Sequence, residues 1–186
     1  MSDPQRSSIM DEDAVLRALG RMAREVVEKT EGTEGLVLMG IVRRGIQLAR
    51  LLGDEIERAE GVRVPTGSLD ITLYRDDLMT VGPRPVVGES VLPPGGIDDR
   101  VIVLVDDVLY TGRTIRAALN EITDWGRPAR ILLCVLVDRG GRELPVQPDV
   151  VGRRVSVSGR QRVEVLVPEL DGRLGVDLLE LTGTAS

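Results

Sequence analysis

Histidine is absent from the 186 residues, and so is phenylalanine. Without histidine there can be no serine–histidine or cysteine–histidine nucleophile and no histidine-held zinc. Any chemistry here must run on carboxylates, arginines, backbone amides and bound ions. The single cysteine, Cys134, lies inside the apolar run 131–137. It cannot pair within the chain and reads as a small core residue, which leads to the expectation of a reducing, cytoplasmic setting. No stretch reaches the roughly 18 apolar residues of a membrane span, and residues 1–9 contain no apolar signal core. Aromatics make up only 2% of the chain, so the core must be built from Val, Leu, Ile and Ala, as a parallel sheet buried on both faces prefers. Lys29 is the only lysine, which leaves positive charge to arginine. A net charge of −6 argues against a protein that coats nucleic acid indiscriminately, though it leaves room for a local basic face.

What remains is ordinary for a globular chain, with 42% hydrophobic and 29% charged residues. The length suits a single domain over 1–186. Asp11 or Asp13 can cap a first helix running to about Thr30, with Val15, Leu19, Met22 and Val26 on one face and Arg17, Arg21 and Arg24 opposite. The run 36–41 reads as a buried strand, followed by Arg43-Arg44-Gly45 and a helix that stops at Gly61. Residues 70–74 alternate and read as a strand. The Pro- and Gly-rich stretch 79–97 reads as a flap or two-stranded arm. Strands are expected at 101–105 and 131–137, with a helix from about Ile115 to Trp125 between them. Short strands at 150–157 and 163–167 precede a polar tail. Strand–helix alternation with wholly apolar strands predicts an α/β fold: a doubly wound, mostly parallel sheet flanked by helices. Ligands of such sheets sit beyond the carboxyl ends of the strands.

The stretch 101–114, VIVLVDDVLYTGRT, carries the chemistry. A buried strand ends in adjacent carboxylates, Asp106 and Asp107, and a loop over 108–112 delivers Thr111, Gly112, Arg113 and Thr114 to a helix N-terminus. The first turn of a helix presents free N–H groups and partial positive charge to a phosphate. Gly112 permits close backbone approach. The paired carboxylates can accept hydrogen bonds from two ribose hydroxyls and favour positive charge nearby. Taken singly, these residues could be a turn and a helix cap. Two acids on an apolar strand, however, are costly to place without a ligand or partner. No lysine follows Gly112 as in a Walker loop, and no dinucleotide G-x-G-x-x-G is present.

The segments LMGIVRRGIQLA (38–49), LDITLYRDDL (69–78), VLVDDVLYTGRTIRAAL (103–119) and VLVDRGGRELP (135–145) resemble the pyrimidine-operon regulator and uracil phosphoribosyltransferase family, PyrR, within the type I phosphoribosyltransferases. The resemblance runs from about residue 9 to about residue 180. It implies the type I fold with a small hood and a flexible loop, and transfer of ribose 5-phosphate from phosphoribosyl pyrophosphate (PRPP) to uracil, giving UMP and pyrophosphate. By that resemblance Asp106 and Asp107 hold the ribose hydroxyls and, with Arg44, form the catalytic set. Val108, Leu109, Tyr110, Thr111, Gly112, Arg113 and Thr114 form the 5′-phosphate loop. Arg43 and Gly45, beside Arg44, meet the pyrophosphate. Arg75, Asp76 and Asp77 belong to the flexible loop, and Val137, Asp138 and Arg139 flank the base. Mg²⁺ is the implied cofactor, carried mainly by PRPP, with Asp106 and Asp107 as the protein oxygens open to it. The family also binds messenger RNA of pyrimidine genes with UMP as co-regulator. That role would fall here to Arg21, Arg24, Arg142 and Arg153, in a homodimer or higher homo-oligomer. The chain departs from the usual family residues at Gly20, Gly141, Gln147 and Val157. A non-catalytic PRPP- or UMP-sensing regulator and a purine-type phosphoribosyltransferase stand as alternatives.

Overall fold

Three apolar runs and their caps set the architecture. The computed structural model describes residues 5–74 and 88–181. Strand β1 (Arg6–Met10) leads into helix α1 (Glu12–Lys29), β2 (Leu36–Ile41) and α2 (Arg44–Glu60). Then come β3 (Thr66–Leu69), a 3-10 turn (Ile71–Tyr74), β4 (Val101–Leu109), α3 (Arg113–Trp125) and β5 (Arg130–Asp138). The chain closes with β6 (Val150–Arg154), β7 (Gln161–Leu166), the single turn α4 (Pro168–Asp171) and β8 (Gly175–Glu180).

Five strands form one sheet in the order β3-β2-β4-β5-β6, and every pairing in it is parallel. Side chains alternate across a strand, and the two cores follow that parity. Leu36, Leu38, Val103, Val105, Leu132, Cys134 and Leu136 pack against α1 and α2. Val37, Met39, Ile41, Ile102, Leu104, Leu133 and Val135 pack against α3. Each fully buried Val, Leu or Ile is worth about 1.5–3 kcal/mol over its exposed state, so these runs supply most of the driving force. Cys134 is fully buried, and burial pushes its thiol up, away from the thiolate. Helix α1 starts where the Asp11 carboxylate accepts from the Ala14 amide at 2.8 Å, with Glu12 and Asp13 in its first turn. Helix α2 ends on Gly61 at φ 69°, a left-handed cap.

A second sheet, β1-β8-β7, is antiparallel and makes up a small hood, with β7 against β4 and Val163, Val165 and Val176 in the core on the α1 side. Its β1 and β8 were not expected from sequence, where 175–180 read as polar tail. They hold together through charge as well as apolar contact. Asp177 of β8 is fully buried and accepts from Arg6 of β1 at 2.9 Å and from Arg173. Arg6 also meets Glu164 of β7 at 2.9 Å.

Two further expectations are corrected. Residues 70–74 are not a strand: β3 ends at Leu69, and the Asp70 carboxylate accepts from the Thr72 amide at 2.9 Å and from its hydroxyl. That local side-chain-to-backbone bond competes with the ladder and turns the chain into a 3-10 turn. Strand β4 does not stop before the acids but carries Asp106 to Leu109 within it, paired with β5 from Val101 to Leu109. The loop is therefore only Tyr110 to Gly112. Of the expected arm, 79–87 lies outside the described residues, and 88–97 makes a single antiparallel bridge, Ser68 to Val91.

Candidate functional site

Beyond the carboxyl ends of β2, β3 and β4 lies a cleft of about 590 Å³, within the usual range for small-molecule sites. Ile41, Val42, Arg43 and Arg44 line it from the β2–α2 turn, and Asp70, Ile71, Thr72 and Gly88 from the β3 side. Asp106, Asp107, Val108 and Thr114 come from the β4–α3 segment, and Arg162 reaches in from the hood. The Val42–Arg43 peptide is cis. Gly45 lets this turn lie on the sheet, because a Cβ there would sit 2.7 Å from the Val105 carbonyl.

Asp106 is buried and accepts from the Asp107 amide at 2.9 Å; Asp107 is half-buried and accepts from the Val108 amide at 2.8 Å. Burial, then the neighbouring Asp107 charge, pushes the Asp106 carboxyl well above the usual carboxylate range. Asp70 goes the other way. Burial alone would raise it, but hydrogen bonds from Thr72 and the Gly88 amide, with the charge of Arg43, bring it below that range. The cleft thus holds one acid that resists ionisation and one that favours it.

The Tyr110–Gly112 loop is braced from behind. Gly112 caps α3 at φ 92° and offers no side chain to its first-turn amides, and Thr114 of that turn lines the cleft. A Cβ at Gly112 would press on Val146 at 3.3 Å. The Glu143 and Leu144 amides both donate to the Thr111 carbonyl, at 3.0 and 3.1 Å. Thr111 Oγ1 accepts from the Arg113 amide at 3.3 Å, and Arg113 Nε–H donates to Glu143 at 2.7 Å. Arg142 ties this scaffold together, donating to the Tyr110 carbonyl, the Val146 carbonyl and Asp138 at 3.0, 2.9 and 2.8 Å.

Asp106, Asp107, Val108, Thr114, Arg43 and Arg44 therefore meet in one cleft, with Tyr110 to Arg113 forming the loop beside it. Gly45 lies beneath the turn. Leu109 is buried in the core on the α3 side. Arg75, Asp76 and Asp77 lie outside the described residues. The base-flanking set is divided. Val137 is a core side chain, whereas Asp138 and Arg139 line a second hollow of about 340 Å³ with Arg142, Gln147, Arg154 and Ser156. The Arg139 guanidinium stacks 3.9 Å from the Tyr110 ring centroid. Gly141, at φ 79°, lies against that ring, where a Cβ would come within 2.5 Å of Cε2. On the far side Arg21 of α1 donates to the Gly152 and Val151 carbonyls of β6, and Arg153 donates to the Ile9 carbonyl at 2.5 Å. Arg21 and Arg24 line one hollow on that side with Glu25, Glu28 and Lys29, while Arg142 is held in the loop scaffold. Asp70, Thr72 and Arg162 are cleft residues that sequence reasoning did not assign to the transferase site.

The chain matches the phosphoribosyl transferase domain family over residues 5–167. It is 54% identical over 163 residues to the bifunctional protein PyrR of Herpetosiphon aurantiacus, covering 88% of this chain and 90% of that one. Against the bifunctional protein PyrR of Thermus aquaticus it is 52% identical over 178 residues, covering 96% and 98%. The chain belongs to the PyrR family. Solved structures confirm the PyrR chain's architecture. Hypoxanthine phosphoribosyltransferase of Trypanosoma cruzi superposes with a TM-score of 0.71 at 19% identity, covering 96% of this chain and 95% of that one. A hypoxanthine-guanine phosphoribosyltransferase of Bacillus anthracis superposes at 0.68 and 15%, covering 95% and 99%. At such identities the likeness concerns the type I fold and not the base. No helix among the described residues is long and apolar enough to cross a membrane.

Proposed function

We propose that this PyrR-family chain transfers ribose 5-phosphate from PRPP to uracil and also binds pyrimidine-gene messenger RNA under UMP control. The carrying observation for transfer is one cleft that joins paired carboxylates, Thr114 of the first turn of α3 and three arginines, beside the glycine cap of that helix. The Tyr110–Thr114 turn takes the 5′-phosphate on first-turn amides and the Thr111 and Thr114 hydroxyls. Asp106 and Asp107 accept from the ribose hydroxyls. Arg43, Arg44 and Arg162 face the pyrophosphate.

The C1–oxygen bond breaks and its electron pair leaves with pyrophosphate. The sugar passes through an oxocarbenium-like state, uracil N1 bonds to C1, and the N1 proton passes to solvent. Catalysis is positioning and electrostatics in a sheltered cleft, which needs no histidine. Among the described residues no three acidic, cysteine or histidine side chains converge as a metal cage. The Asp106–Asp107 oxygens nevertheless suit Mg²⁺ that is bound mainly through substrate and water oxygens. Bound there, the ion would offset charge on the departing pyrophosphate.

The test is UMP formation from PRPP, Mg²⁺ and labelled uracil, with hypoxanthine, guanine and orotate in parallel. UMP from uracil alone supports the assignment. Product from a purine base instead would replace it, and no product with retained PRPP binding would favour the nucleotide sensor.

The RNA reading draws on Arg21 and Arg24, which line a surface hollow of α1 with Lys29, Glu25 and Glu28, and on Arg153 of β6, next in sequence to the Gly152 carbonyl that Arg21 holds. Such a patch can neutralise phosphates. In a gel-shift titration with the chain's own pyrimidine leader transcript and UMP, a shift at micromolar protein is expected. Arg21→Glu should abolish it while leaving UMP formation intact. Absence of any wild-type shift would refute the RNA role.

A further inference from the structure

Arg44 does not enter the cleft alone. Its Nε–H and an Nη2–H donate to Asp171 at 3.2 and 2.8 Å, a two-point grip on one edge of the guanidinium. A guanidinium has five N–H groups in a planar fork. The grip uses two of them and leaves the Nη1–Nη2 edge open, and Arg44 lines the cleft alongside Asp107. Asp171 is itself fixed. Its Oδ2 accepts from the Val167 amide at 2.9 Å, closing the single turn α4 of the hood, which ends on Gly172 at φ 74°. Burial would raise the Asp171 carboxyl, yet Arg44 and the Val167 amide hold it below the usual range, so it stays an anion across physiological pH. The charge of Asp171, with that of Asp107, raises Arg44 in turn.

From this geometry we infer that Asp171 is a positioning residue: it holds one edge of Arg44 so that the other edge is presented to the pyrophosphate of PRPP, and it ties the hood to the leaving-group end of the cleft. An arginine free on its stem would have to be ordered when substrate binds. Held by Asp171, it is ordered beforehand and can meet a phosphate with two parallel N–H bonds. The inference rests on the transferase reading, but its central comparison needs binding only. PRPP carries a pyrophosphate and UMP does not, so the grip should matter for the first ligand and not for the second.

The experiment titrates wild type, Asp171→Asn and Arg44→Lys with PRPP, inorganic pyrophosphate and UMP, each with Mg²⁺, by calorimetry. Initial rates and melting temperatures are measured on the same proteins. Asp171→Asn should weaken PRPP and pyrophosphate by roughly tenfold or more, the scale of one coupled polar pair. Its UMP affinity should be unchanged. KM for PRPP should rise while KM for uracil holds. Arg44→Lys keeps the charge but loses the fork, and should weaken the same two ligands. In the Arg44→Lys background, Asp171→Asn should add nothing. Equal weakening of PRPP and UMP by Asp171→Asn would overturn the inference, as a damaged hood would produce it. So would an undiminished Asp171→Asn effect in the Arg44→Lys background. If Asp171→Asn does not fold, Arg44→Lys with wild-type PRPP and pyrophosphate affinity would refute it. Wild type that binds PRPP but makes no nucleotide would sink the transferase reading, and the PRPP-against-UMP comparison would still decide this one.

Discussion

Replacing Asp106 with asparagine should make the free protein more stable and the enzyme far less active. Asp106 is 6% exposed, sits on an otherwise apolar strand and faces a second carboxylate at Asp107. Burying an ionised carboxylate costs several kcal/mol even after relaxation. Asparagine has nearly the same shape, can still accept from the Asp107 amide, and can donate an N–H to the Asp107 carboxylate where two acids now oppose. Relief of that conflict should return about 1–3 kcal/mol, or about 2–12 °C in melting temperature for a chain of this size. The pH dependence fixes the cause. A carboxyl whose folded pKa is raised contributes stability that is complete below its unfolded value, about 3.9, and is lost as pH rises through the folded value. The wild-type and Asp106→Asn melting curves should therefore converge near pH 4, separate as pH rises toward the raised folded value of Asp106, and stay apart above it. Turnover should fall by roughly 10²–10³-fold, the range for loss of one electrostatic stabiliser. The assay is ligand-free thermal denaturation from pH 4 to 8.5, beside UMP formation. An Asp106→Asn protein no more stable than wild type at pH 8, or a gap that does not widen with pH, would refute the argument.

Asp70→Asn should show the opposite sign. The lowered Asp70 carboxyl stabilises above about pH 4 and loses that contribution as pH falls through its folded value, so the variant should melt below wild type at pH 7 and match it in strong acid. Gly112→Val forces a β-branched residue to φ 92° against Val146, at a cost of about 1–3 kcal/mol. Calorimetry should show PRPP binding at least tenfold weaker, and unchanged binding would refute the cradle. Arg162→Ala should raise KM for PRPP by roughly tenfold with KM for uracil unmoved, and a wild-type PRPP dependence would remove the hood from the substrate site.

The central sheet was legible because a parallel strand buried on both faces must be an unbroken apolar run. Leu36–Ile41, the first part of β4 and most of β5 could be nothing else. The Asp106–Gly112 segment was legible because acids are expensive on such a strand. The hood was not. β1 and β8 are short and carry polar residues, and what pairs them is a contact between Arg6 and Asp177, 171 residues apart. Nothing in either neighbourhood announces the other. Arg162 reaches the cleft and Asp171 reaches Arg44 from the same distant end, so no local pattern marked them. The turn at Asp70 was misread because alternation over 70–74 mimics a strand, and only the Asp70–Thr72 hydrogen bonds decide against it. Arg142, expected from a matching basic position, makes three hydrogen bonds that brace the Tyr110–Gly112 loop, contacts that no local pattern announces.

The charge pattern of the cleft fits the direction in which charge moves in the proposed reaction. Negative charge accumulates on the departing pyrophosphate while positive charge develops at the ribose ring. The cleft supplies groups of both signs to meet them. Arg43 and Arg44 project from the β2–α2 turn and Arg162 from the hood, whereas Asp106 and Asp107 come from within β4, in its carboxyl half. Asp106, raised in the free protein, would be stabilised as an anion only once ribose hydroxyls and developing cation surround it, so its full electrostatic worth appears in the reacting complex rather than in the resting one. That is the condition for an interaction to raise turnover instead of merely tightening binding. The same reasoning explains why such an acid is retained at a cost in stability, and why Asp106→Asn should separate stability from activity more cleanly than any change at Asp70, whose carboxylate is already satisfied by Thr72 and Gly88.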